Sequence, residues 1–93
     1  MTETQILELL QEIKNEQHPL EDDDALIGYI KKGEYDINDN VGVKINYEID
    51  LKARSLLINY VLYSRYKRLA EFEQLYVGEY AYLQAKYYNS SGV

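Results

Sequence analysis

The chain has 93 residues, with 16 Asp and Glu against 10 Lys and Arg, a formal net charge of −6, 11 tyrosines, one phenylalanine and no cysteine or tryptophan. A chain this short makes one domain that buries only roughly 60–65% of its unfolded surface, so association between copies is the remaining common way to stabilise it. The absence of cysteine excludes disulfides and thiolate metal sites, the acidity argues against tight phosphate binding to nucleic acid, and no window approaches the roughly 20 apolar residues of a membrane span.

The first five residues show no basic stretch leading into an apolar one, which reads as a protein made and used in cytoplasm. Charge is segregated along the chain: residues 1–40 carry net −8, residues 41–70 net +4 and residues 71–93 net −2. An acidic first part and a basic middle suit head-to-tail contact between copies; pairing of helices within one chain is the alternative.

Thr2 and Gln5 fit a capping box, and Ile6, Leu9, Leu10 and Ile13 recur at helical spacing, which predicts a first helix over 3–16 that ends at His18 and Pro19. The acidic run Glu21, Asp22, Asp23 and Asp24 supplies an N-cap and favourable charge for a second helix, with Leu26, Ile30, Gly33 and Ile37 inward. Gly33 permits close packing there. Residues 38–42 carry the strongest turn signal, and Val41, Val43 and Ile45 alternate, so residues 38–46 are expected to form an extended loop or a short strand, not a sheet.

From Glu48 to about Leu69 there is no Pro or Gly, which predicts one long helix capped by Asn46. It carries two apolar stripes, one through Ile49, Ala53, Leu56, Tyr60 and Tyr63, the other through Leu51, Ile58, Leu62 and Leu69. A helix apolar on two sides is buried between two partners, one of which can belong to another copy. Leu69, Phe72, Tyr76, Tyr80, Leu83 and Tyr87 then draw a single seam on a last helix, interrupted by Gly78, before a polar tail over 89–93. The expected architecture is all-α, about four helices in one domain over residues 1–88.

Nothing in the pattern supplies an active site. Asp22, Asp23 and Asp24 lack the alternating ligands, central Gly and distal Glu of a calcium loop, and turn chemistry accounts for Asp36, Asn38, Asp39 and Asn40. His18, the only histidine, has no nucleophile pattern near it. No catalytic, metal or cofactor site is therefore expected. Arg65, Lys67 and Arg68, interleaved with Tyr63 and Tyr66, resemble a base-stacking surface superficially, but helix-dipole compensation and pairing with acidic residues fit a net-acidic chain better.

Eight of the 11 tyrosines lie between Tyr60 and Tyr88. Tyrosine couples a large contact area to a polar tip, which suits surfaces that are wet before assembly and covered after it. Tyr60, Tyr76, Tyr80 and Tyr87 lie on the apolar seams and belong to the core; Tyr66, Tyr82 and Tyr88 fall off them and are the interface candidates.

Several segments together carry a family resemblance. Residues 25–33 contain Tyr29, Ile30 and Gly33 as a Tyr-Ile-x-x-Gly pattern; residues 42–47 form a Gly-containing extended stretch. Ala53, Arg54, Leu56 and Leu57 are followed by Tyr60, and Glu71-Phe72-Glu73 opens the last part. In this order and spacing, over residues 22–87, the chain resembles the small head-to-tail connector (adaptor) proteins of tailed bacteriophages. The resemblance implies a structural virion protein, made in the host cytoplasm, whose copies form a ring, commonly a dodecamer, beneath the portal protein. Such a ring extends the DNA channel without tight DNA binding and offers a docking surface to a downstream neck or tail-completion protein. In relatives the C-terminal segment contacts the portal, here residues 80–93, which points to Tyr82, Tyr88 and Val93. Arg54, Arg65, Arg68 and Tyr66 are expected to pair subunits or helices. The alternative reading from composition is a small acidic regulatory or inhibitory protein that mimics nucleic acid.

Overall fold

The computed structural model describes residues 1–91, with side chains described through Tyr88; five helices occur among these residues and no strand. Helix α1 spans Glu3–Gln17, α2 Asp23–Val41, α3 Leu51–Arg65, α4 Leu69–Leu75 and α5 Val77–Ser91. The all-α expectation holds, with five helices in place of about four.

The first two helices begin where the sequence places them, for the reason expected. Thr2 accepts from the Gln5 amide at 3.1 Å while the Gln5 side chain accepts from the Thr2 amide at 2.9 Å, a complete capping box. Asp22 accepts from the Ala25 amide at 2.8 Å. Helix α2 continues beyond the expected turn to Val41 and stops at Gly42, whose φ of 91° is left-handed. Asn38, Asp39 and Asn40 are thus helical, because Ile37 and Val41 keep the buried stripe in phase and tertiary burial outweighs local turn preference.

The region after α2 differs most from expectation. Asn46 does not cap a helix; it closes a turn, accepting from the Glu48 amide through its side chain at 3.1 Å and from the Ile49 and Asp50 amides through its carbonyl. Asp50 is the cap of α3, accepting from the Ala53 amide at 3.0 Å. Ile49 therefore precedes the helix and stands 78% exposed, off the stripe to which helical phase assigned it.

The expected long helix also ends early, at Arg65. Lys67 adopts φ 58°, and the Arg68 amide donates to Tyr63 O at 2.8 Å while the Lys67 amide donates to Ser64 O at 3.1 Å. These two bonds are the Schellman closure, here built without glycine. Tyr76 separates α4 from α5, yet the seam survives the break: Phe72 and Leu83 are fully buried, and Leu69, Tyr76, Tyr80 and Tyr87 pack partly buried against the core.

Helix α2 is the centre of the molecule, packing against α1, α3 and α5, while α4 bridges α3 and α5. Leu9 and Ile13 from α1, Leu26 and Ile30 from α2, and Leu57 and Val61 from α3 meet with no exposed surface. Gly33 sits at the α2–α3 crossing, where a Cβ would lie 2.6 Å from Leu57 Cδ1 and 2.8 Å from Tyr60 Cδ1. The close approach expected of Gly33 is what the fold uses. Phe72 anchors an aromatic cluster, stacked on Tyr76 at 4.7 Å and edge-on to Tyr60 at 5.4 Å and Tyr80 at 6.1 Å.

Candidate assembly surface

The three arginines expected to pair subunits or helices divide by environment. Arg54 reaches across to α1, donating from Nη2 at 2.6 Å and Nε at 3.0 Å to Glu12 Oε2, and Arg65 donates to Glu21 at 3.0 Å and to Gln17 at 3.0 Å. The Arg65 side chain is only 8% exposed, and Gln17 also donates to Ile58 O. Both arginines therefore tie helices together within one chain, the intramolecular alternative. Glu21 loses some hydration, which raises its pKa, but bonds from backbone amides and the Arg65 guanidinium outweigh this and hold it below the ordinary value. Arg68 is different: its side chain is 65% exposed and meets Glu71 at 3.8 Å.

The tyrosines separate as helical phase predicts. Tyr60 is buried with its hydroxyl donating to Asp36, and burial followed by the Asp36 carboxylate raises its pKa. Tyr80 is pushed up to about 12, first by burial and then by Asp36 and Glu73. Tyr66, Tyr82 and Tyr88 are exposed. Tyr66 lies at the α3–α4 corner with the Arg65 guanidinium 5.3 Å from its ring centre, and the Lys52 ammonium sits 4.1 Å from that of Tyr82. Val93 lies outside the described residues. Helix α5 runs through Ser91, three residues into the segment read as a tail, and Gly92 lies beyond the described residues.

Tyr82 borders a groove of about 530 Å³ between α3 and α5, whose walls are Leu51, Leu56 and Asn59 on one side and Tyr76, Gly78 and Glu79 on the other. Leu51 is 67% exposed at its mouth, and Leu75 and Val77 stand exposed at the nearby α4–α5 junction. A larger depression of about 840 Å³ lies beside the end of α2, lined by Glu34, Tyr35, Asn38 and Tyr47 among others. There Asn38 accepts from the Ile45 amide and the Tyr47 hydroxyl, so its polar groups serve to hold the loop.

Asp50 carries no conspicuous signal in the sequence, yet it is the most heavily bonded carboxylate among the described residues. Buried at 5% exposure, it caps α3 and accepts from Lys86 Nζ at 2.9 Å and the Tyr87 hydroxyl at 2.6 Å. Burial alone would raise its pKa; the bonds from Tyr87, the Ala53 amide and Lys86 outweigh it and leave the value lowered. Clamping α5 onto α3 is a structural task, and Leu83 beside it is core. Removing residues 82–93 would therefore open the fold as well as any docking surface.

His18 is exposed in the α1–α2 connection, and Asp22 is occupied as a cap. Among the described residues no group of three or more His, Asp or Glu side chains is placed to hold a metal ion, and no helix is long and apolar enough to cross a membrane.

No protein-family model matches the chain, and comparison with curated proteins and with solved structures finds no significant similarity.

The feature that sequence reasoning missed most completely is Leu20, 99% exposed at the α1–α2 turn. Its signal was a large apolar residue between a proline and an acidic run, with no helical phase to bury it.

Proposed function

We propose that this protein is a structural subunit that assembles with copies of itself into a ring beneath a bacteriophage portal, extending the DNA channel and joining head to neck. The observation that carries the reading is the set of large apolar side chains left outside a completed core: ten among the described residues are at least 46% exposed, including Leu20, Leu51, Tyr66, Leu75, Val77, Tyr82 and Tyr88. Ten such side chains on so small a domain favour surfaces that other chains cover, although single exposed apolar residues are ordinary. The family pattern over residues 22–87 gives the reading its specific form, and a net charge of −6 suits a channel that must pass DNA without holding it.

In this reading Tyr66 and Arg68 serve subunit contacts, while Tyr82 and Tyr88 on α5 serve the portal. Light scattering of the purified protein with and without portal protein tests it. The expected result is a ring, or portal-dependent assembly; a protein that does neither, and that is missing from purified virions, is not a connector. Presence in infected cells but not in virions would instead favour the acidic regulator.

A further inference from the structure

We propose that the Leu20 tip of one copy seats in the lysine-lined groove between α2 and the α3–α4 corner of the next copy. This deepens, and rests on, the reading of the chain as a self-assembling subunit. The groove holds about 410 Å³ and is lined by Tyr29, Lys32, Ser64, Lys67, Leu69 and Ala70. Tyr29, Leu69 and Ala70 give it apolar walls around the buried Ser64, and Lys32 and Lys67 add cations. Lys67 makes no ion pair among the described residues, and Lys32 meets Asp36 only at 3.9 Å. Arg68, exposed and loosely paired, adjoins the groove in sequence. An apolar depression and under-compensated cations thus coincide here, in a chain whose net charge is −6.

The tip has the opposite character. Leu20 is almost wholly exposed, Pro19 restrains the backbone before it, and Asp22, Asp23 and Asp24 follow on the exposed first turn of α2. An apolar knob with a carboxylate flank matches a groove with apolar walls and lysines in its lining, and a preformed turn loses little conformational freedom on docking. Tip and groove are formed by different residues, with Glu21 beside the tip held to Arg65 at the end of α3. A contact that runs one way from each copy to the next is heterologous and closes into a ring when the rotation allows, whereas a reciprocal exchange closes as a dimer. The left-handed Lys67 turns the chain between α3 and α4 and is itself part of the groove lining.

The chain contains no cysteine, so introduced pairs report contacts without background. Leu20→Cys and Ala70→Cys change exposed side chains and leave the core intact. Mixed at high concentration under mild oxidation, with one variant carrying a mass tag, they should give mainly the mixed disulfide dimer. That product should exceed either homodimer several-fold and decline in high salt or when Lys32→Glu and Lys67→Glu are added to the Ala70→Cys chain. Leu7→Cys, exposed on α1, is the control partner. Mixed dimers no more abundant than homodimers, or no more abundant than with the control, overturn the proposal. A protein that forms rings without this crosslink keeps the connector reading and loses the contact. A crosslinking protein missing from virions keeps the contact and loses the connector reading.

Discussion

Two residues show how far single side chains set this fold. Lys67 occupies a left-handed conformation that disfavours residues with a Cβ, at a position where helices commonly place glycine. Lys67→Gly should raise stability by about 1 kcal/mol, read as a higher midpoint in urea with an unchanged slope. Asp50 gives a pH signature whose sign follows from its lowered pKa. The stability it lends is complete above its unfolded value of about 3.9 and is lost as pH falls through the lower folded value. Asp50→Asn keeps a capping side chain but removes the charge that Lys86 and Tyr87 engage. The two proteins should differ by about 1–2 kcal/mol at pH 7, and the gap should close as pH falls through the lowered folded value of Asp50. Parallel acid-unfolding curves that never converge would contradict this.

At the scale of the helix, glycines of one type have opposite consequences. Gly33→Ala forces a Cβ into Leu57 and Tyr60 at the α2–α3 crossing and should cost about 1–3 kcal/mol. Gly28 is exposed in the interior of the same helix, where an added Cβ would meet nothing within 4 Å, and the same substitution there should gain about 0.5–1 kcal/mol. Thermal melts of the two variants decide it. Gly33 was legible in the sequence because it shared the phase of Leu26, Ile30 and Ile37, and the first two helix starts were legible because their caps are local. The break at Lys67 was not, since a Schellman closure without glycine leaves no compositional mark. Nor was the true start of α3: Asn46 and Asp50 are both good caps, and the choice between them rests on burial of Tyr47 and on the reach of Lys86 and Tyr87, contacts 36 and 37 residues away.

For the whole molecule, the arginines separate folding from assembly. Arg54→Glu sets a second negative charge against Glu12 across α1 and α3 and should lower the melting temperature, because the pair is partly shielded from solvent. Arg68→Glu should leave the melt within about 0.5 kcal/mol of the parent while weakening self-association in a salt-sensitive way. Equal loss of stability in both would mean that Arg68 also belongs to the fold. Helical phase alone places Tyr66, Tyr82 and Tyr88 outside and the seam tyrosines inside. What a one-dimensional pattern could not reveal was which cations were already engaged, since Arg54 and Glu12 lie 42 residues apart.

The clamp at Asp50 also bears on how the molecule opens. One carboxylate caps the first turn of α3 through Oδ1 and holds the distal half of α5 through Oδ2, so opening at either helix weakens the anchor of the other. The Ala53 amide and the amides around Tyr87 should then exchange with deuterium through one shared opening, with matching protection in native-state hydrogen exchange. The last helix, which looks like an appendage beyond the break at Tyr76, would open and close as part of the domain's central cooperative unit.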